Sequence, residues 1–160
     1  MPSFIEFIPT PPEDIDGFFE LAPVCSSDIV YDLGSGDGRL LFRAIEKGAG
    51  RAVGIDLNAE LIRTATETAR SKGVQERVTF KQDDVIKANL EDATLVLCYL
   101  FPVASAALKP KFEAELKPGT RVVMESFYIH GWQEAATISK GGKTFYLYVM
   151  PPEIINDIQA

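Results

Sequence analysis

Apolar and polar positions along this chain alternate between two rhythms. Short apolar runs bounded by Gly, Asp or Pro read as buried strands at 29–33, 52–56, 78–82, 94–98 and 121–127. Between them, apolar residues recur every three to four positions, as on one face of a helix. Ile15, Phe18, Phe19 and Ala22 mark such a face in a helix that Thr10-Pro11-Pro12-Glu13 is placed to cap. Leu41, Ala44 and Ile45 do the same in a helix over 38–47. A third helix runs from Ala59 to about Ser71, where Gly73 stops it. A fourth covers 103–116, with a break expected at Pro110, which can neither donate a hydrogen bond nor fit an undisturbed turn.

Strand and helix alternating at this rhythm predict an α/β fold with a doubly wound, mostly parallel sheet. The end breaks the rhythm: Ala135 to Ile138 and Thr144 to Val149, joined through Gly141-Gly142, read as an antiparallel hairpin. The 160 residues fit a single domain over 1–160, with residues 1–22 as an arm and helix over the functional edge.

The run Tyr31-Asp32-Leu33-Gly34-Ser35-Gly36-Asp37-Gly38 ends the first strand in a glycine turn that opens a helix. That is where nucleotide-like cofactors meet an open α/β sheet, with glycines letting the backbone approach the ligand. The spacing is Gly-x-Gly-x-Gly rather than the Gly-x-Gly-x-x-Gly of dinucleotide folds, and two acids, Asp32 and Asp37, flank it. A pyrophosphate would be repelled there. A cofactor with cationic groups, such as the ammonium and sulfonium of S-adenosylmethionine, suits it. Asp56, at the tip of the second strand, is placed for ribose hydroxyls.

The net charge of −7 argues against a nucleic-acid partner, because phosphate backbones need a basic face, and favours cationic ones, lysine-rich protein segments among them. Cys25 and Cys98 form no metal or disulfide framework, and reducing, cytoplasmic conditions suit them. The longest apolar region, 93–108, is interrupted by Pro102 and Ser105 and is too short to span a membrane. A monomer is the simplest expectation.

The glycine run, Gly54-Ile55-Asp56 and Leu116-Lys117-Pro118-Gly119 resemble the Rossmann-like, S-adenosylmethionine-dependent methyltransferases. Pro9-Thr10-Pro11, Leu108-Lys109-Pro110-Lys111, Gly131-Trp132 and Tyr146-Leu147-Tyr148 narrow the resemblance to the archaeal and bacterial broad-specificity protein lysine methyltransferases, whose eukaryotic relatives act on mitochondrial inner-membrane proteins. The resemblance implies S-adenosylmethionine as cofactor, S-adenosylhomocysteine as product and lysine-containing proteins as substrates. It implies that Asp32, Gly34, Gly36 and Gly38 hold the methionine end and Asp56 the ribose, with Asp83 or Asp84 taking the adenine amino group. Thr10, Leu57 and Tyr99 complete the expected cofactor contacts. The chain departs from its relatives at Met124-Glu125-Ser126-Phe127, where many carry Ser-His-acid-Phe.

For the acceptor, the residues just past strands four and five are the candidates, because ligands of open sheets sit at the carboxyl ends of the strands. These are Tyr99 and Phe101, then Phe127, Tyr128, His130 and Trp132, with Glu125 as the nearby carboxylate. Tyr99, Trp132 and Glu125 are taken as the catalytic set. No Asn-Pro-Pro-Tyr follows strand four, where Leu100-Phe101-Pro102 stands instead, which speaks against planar amides and nucleobases as acceptors. A small-molecule N- or O-acceptor, or a cofactor-binding module with a decayed acceptor site, remain the alternatives.

Overall fold

The structure, a computed structural model, describes residues 12–99 and 102–155. Its elements in chain order are α1 (Pro12–Leu21), β1 (Ile29–Leu33), α2 (Arg39–Glu46), β2 (Arg51–Asp56), α3 (Ala59–Ser71), β3 (Val78–Gln82), β4 (Leu95–Cys98), α4 (Pro102–Glu115), β5 (Arg121–Glu125), β6 (Trp132–Gln133), β7 (Ala136–Lys140), β8 (Lys143–Val149) and β9 (Glu153–Ile154). Seven strands form one sheet in the order β3-β2-β1-β4-β5-β8-β7. The first five are parallel, and β8 and β7 close the edge antiparallel. Strand order reverses between β1 and β4, the switch point at which such sheets bind ligands.

Successive side chains of a strand point to opposite faces, and the core divides accordingly. Val30, Leu95, Leu97, Val123 and Phe145 pack beneath α1 and α2, with Phe18, Leu41 and Ala44. Tyr31, Val96, Cys98, Met124 and Tyr148 pack on the other face with Leu108 and Phe112 of α4. Asp32 and Glu125 share the alternation of Val30 and Val123, so they belong to the α1 face.

Three sequence expectations are corrected. α4 runs through Pro110 without a break. Pro110 and Ala106, whose carbonyl loses its donor, are both exposed, so solvent can take up the missing bond. β5 ends at Glu125, two residues early, because Ser126 adopts a left-handed φ of 71°. The hairpin is longer than expected, with β7 reaching Lys140 and β8 starting at Lys143 around Gly141 and Gly142. Their φ of 62° and 77° are what a two-residue type I′ turn demands. The small β6–β9 ribbon had no sequence signal, its strands being two residues each.

Candidate active site

The glycine loop is tied to the tip of β2. Gly34 and Ser35 donate their backbone N–H groups to the Ile55 carbonyl at 2.8 and 3.0 Å, and Gly36 donates to Asp56 Oδ2 at 2.9 Å. Asp56 Oδ1 accepts from the Asn58 amide at 2.9 Å, just before Asn58 caps α3 through the Leu61 amide. Asp56 therefore fixes the loop against β2 while remaining half-exposed, with lone pairs to spare for hydroxyl donors. Gly38 sits at φ 87°, and a Cβ there would lie 2.6 Å from the Phe80 ring. Only glycine permits both the backbone angle and the close approach.

The loop is electrostatically short of cations. Asp32 is 5% exposed, and burial together with the negative charges of Asp56, Asp37 and Glu125 pushes its pKa up to about 8. Asp37 is different: burial raises it, but the Arg39 guanidinium, 2.6 Å away at Nη2, brings it below the ordinary carboxylate range. A ligand with fixed positive charge fits beside Asp32, and a polyphosphate does not.

Asp83 and Asp84 are half-buried beyond β3. Asp84 Oδ1 accepts from the Ile86 amide at 2.9 Å, and so caps the following turn. Asp83 donates its amide to the Asp56 carbonyl at 3.0 Å, which brings the two acids side by side. Leu57 is 48% exposed at the rim. Thr10, Leu100 and Phe101 lie outside the described residues.

The acceptor candidates separate onto two faces. On the α1 face, Glu125 is 1% exposed and its Oε1 stands 3.1 Å from Lys143 Nζ. The same ammonium is 3.1 Å from Asp14 Oδ2 of α1 and 5.3 Å from the centre of the Tyr99 ring. Burial raises Glu125 and Lys143 offsets part of that rise. On the opposite face, Trp132 is 1% exposed, with ring centres 6.4 Å from Phe112 and 5.6 Å from Tyr148. The indole, expected in the acceptor pocket, packs against Phe112 of α4, on the face opposite Glu125. Tyr128, 51% exposed, packs against His130 and Tyr146 on that side, with ring centres 5.1 and 5.9 Å away. Half-buried Phe127 stands between the two groups in sequence. Lys143 and Asp14 were not foreseen. Their signal was a charge in register with an apolar face: Lys143 with Phe145 and Leu147, Asp14 one turn before Phe18.

Comparison with known proteins matches the arrangement. Residues 32–136 match the family model of the ANTKMT methyltransferase domain. A protein-lysine N-methyltransferase of Saccharolobus islandicus is 38% identical over 151 residues, covering 91% of this chain and 94% of that protein. The adenine nucleotide translocase lysine N-methyltransferase of Mus musculus is 35% identical over 74% of this chain, which spans 52% of its length. The crystal structure of an RNA methyltransferase from Salinibacter ruber in complex with S-adenosyl-L-homocysteine superposes with a TM-score of 0.88 at 39% identity, covering 94% of this chain and 98% of that one. Over most of its length, the chain belongs to the ANTKMT methyltransferase family of S-adenosylmethionine-dependent enzymes.

Proposed function

We propose that this enzyme transfers methyl groups to the ε-amines of lysine residues in proteins, with the cofactor's methionine end at Asp32 and the glycine loop, its ribose at Asp56 and its adenine at Asp83. Bound there, S-adenosylmethionine supplies an electrophilic methyl on a sulfonium. The chain's own part is to align the acceptor and bring it in as a neutral amine. The observation that carries the reading is the aromatic residue just past β4 and the carboxylate that ends β5: the Tyr99 face already bears a lysine ammonium, with Glu125 beside it. An aromatic face with a buried carboxylate is a receptor for an alkylammonium. The 38% identity to a protein-lysine N-methyltransferase along nearly both whole chains supports the same acceptor.

The likeness to an RNA methyltransferase from Salinibacter ruber favours a second reading, RNA as acceptor. Charge speaks against it. The net charge is −7, and Arg39, Arg43, Arg63, Lys111, Arg121, Lys140 and Lys143 are each engaged by a carboxylate. Phosphate binding needs free cations. Among the described residues no helix is long and apolar enough to cross a membrane.

The test is transfer of labelled methyl from S-adenosylmethionine into one cell extract, split into its protein and RNA fractions. Label released from protein as methyl-lysine on acid hydrolysis is the expected result. Label in nuclease-sensitive material overturns the reading in favour of the second.

A further inference from the structure

Four groups from four elements meet on the α1 face at the carboxyl edge of the sheet. Lys143 Nζ, at the start of β8, is 3.1 Å from Asp14 Oδ2 of α1 and 3.1 Å from Glu125 Oε1 of β5. The Tyr99 ring, just past β4, lies against it at 5.3 Å. The second oxygen of each acid, Asp14 Oδ1 and Glu125 Oε2, is buried and has no hydrogen-bond partner among the described residues. Both side chains are nearly sealed, at 3% and 0% exposure, whereas the Lys143 side chain is 30% exposed and opens the cluster to solvent along its length. Two acids against one base leave the cluster one positive charge short. Two unpaired acceptor oxygens and an aromatic wall suit one further ammonium.

We propose that Asp14, Glu125 and Tyr99 form the subsite for the acceptor's ε-ammonium, and that Lys143 is its positioning and activating residue, whose fixed positive charge makes the neighbouring ammonium give up its proton. The inference rests on the lysine-methylation reading. A lysine acceptor arrives protonated and has no lone pair until a proton leaves. A like charge within a few ångströms disfavours the charged form of a neighbour. Lys143 keeps its own charge because two carboxylates hold it, which outweighs its partial burial. The proton passes from the acceptor's Nζ to Glu125 Oε2. One N–H bond breaks and one O–H bond forms, leaving a neutral amine and a neutral carboxyl with the total charge unchanged. Burial raises the affinity of Glu125 for a proton, and Asp14 adds to that rise; Lys143 takes back only part of it.

Among the described residues, the ionisable groups around Lys143 come from α1, β5 and the end of β4. Asp14 faces it from α1, Glu125 from β5 and the Tyr99 phenol from beyond β4. Asp32 on β1 feels Glu125 through space. Lys140 on β7 is held by Glu20.

Deca-lysine is the probe, and the variants are Lys143→Met and Lys143→Arg. The pH profile of kcat for methyl transfer into deca-lysine should rise at a pH about one unit higher in Lys143→Met, with kcat at pH 7 down about tenfold, because an unassisted ammonium holds its proton longer. Lys143→Arg, which keeps the charge, should restore the wild-type limb. Without turnover, calorimetric titration of deca-lysine in buffers of different ionisation enthalpy should show proton release with the wild type and less of it with Lys143→Met. Cofactor affinity should stay within threefold in both variants, which confirms that they are folded. A limb that does not move, with proton release unchanged, overturns the inference and leaves lysine methylation standing. Absence of wild-type transfer into any lysine, from peptide or extract, overturns the reading beneath it.

Discussion

Two buried charge clusters sit at opposite ends of the same sheet and behave in opposite ways. At the amino end, Asp28 is 7% exposed but saturated. Its Oδ1 accepts from Thr94 Oγ1 at 2.7 Å and Arg121 Nη2 at 2.9 Å, and its Oδ2 from the Cys25 amide at 2.8 Å. Burial raises its pKa, yet these partners bring it below the ordinary carboxylate range. At the carboxyl end, Asp32 has negative neighbours instead and is pushed up to about 8, while Glu125 is raised with Lys143 only partly compensating. The first cluster is scaffold, its charges balanced within the fold. The second carries carboxyls whose charge the fold leaves uncompensated, which is what the proposed cationic ligands would relieve. Within one domain, an unbalanced buried charge separates a binding site from a structural ion pair better than burial or charge alone.

The largest effect expected from breaking this contrast is at the saturated end. Arg121→Met strands Asp28 without its cation and should lower unfolding free energy by about 3 kcal/mol, read from urea denaturation. Cofactor affinity of the folded variant should stay within twofold, because the carboxyl edge is untouched.

Asp32→Asn inverts the outcome. The native carboxyl has its pKa raised, so between about pH 4 and pH 8 the folded state holds a proton that the unfolded state has released. Its contribution to stability is therefore present below about pH 4 and is lost as pH rises to 8. The variant removes that loss: it should be as stable as wild type below about pH 4, with an advantage that grows through the window to about 1 kcal/mol or more at pH 8. It should also bind S-adenosylmethionine at least tenfold more weakly at pH 8. In the wild type, binding a cationic cofactor draws the proton off Asp32, so affinity should rise with pH up to about 8, and the variant should flatten that rise. Calorimetric titrations at pH 6, 7 and 8 check both signs. Asp28 predicts the opposite trend, with stability lost as pH falls below the ordinary carboxylate range.

The smallest effect expected is at Trp132. Trp132→Phe shrinks a core contact with Phe112 and Tyr148 and should lower stability by about 1–2 kcal/mol. Cofactor affinity and methyl transfer of the folded protein should stay within twofold. A tenfold loss of transfer would return the indole to the acceptor site.

The two halves of the carboxyl edge also differ in how far the sequence announces them. The cofactor half is local: Asp32 and the glycines are consecutive, and Asp56 closes the next strand, so strand, turn and acid could be read in order. Tying the loop to β2 needs mostly backbone groups, which follow from the fold itself. The proposed acceptor half is assembled from side chains that only the fold brings together, Asp14 on α1, Tyr99 after β4, Glu125 on β5 and Lys143 on β8. No stretch of sequence contains them. Trp132 shows the converse difficulty. An aromatic residue past a strand end could face either side, and the turn at Ser126 with the β6–β9 pairing puts this one under α4. Glu125, by contrast, stands out in the sequence through its departure from the resembling proteins, although its partner Lys143 does not.

The most direct test of the account is Glu125→Gln, measured for cofactor binding by calorimetry and for methyl transfer into protein lysine in a single turnover. If the carboxyl edge is divided into a cofactor half and an acceptor half, S-adenosylmethionine affinity should stay within threefold while transfer falls at least a hundredfold. Transfer at the wild-type rate would make Glu125 a packing residue and remove the acceptor half of the account.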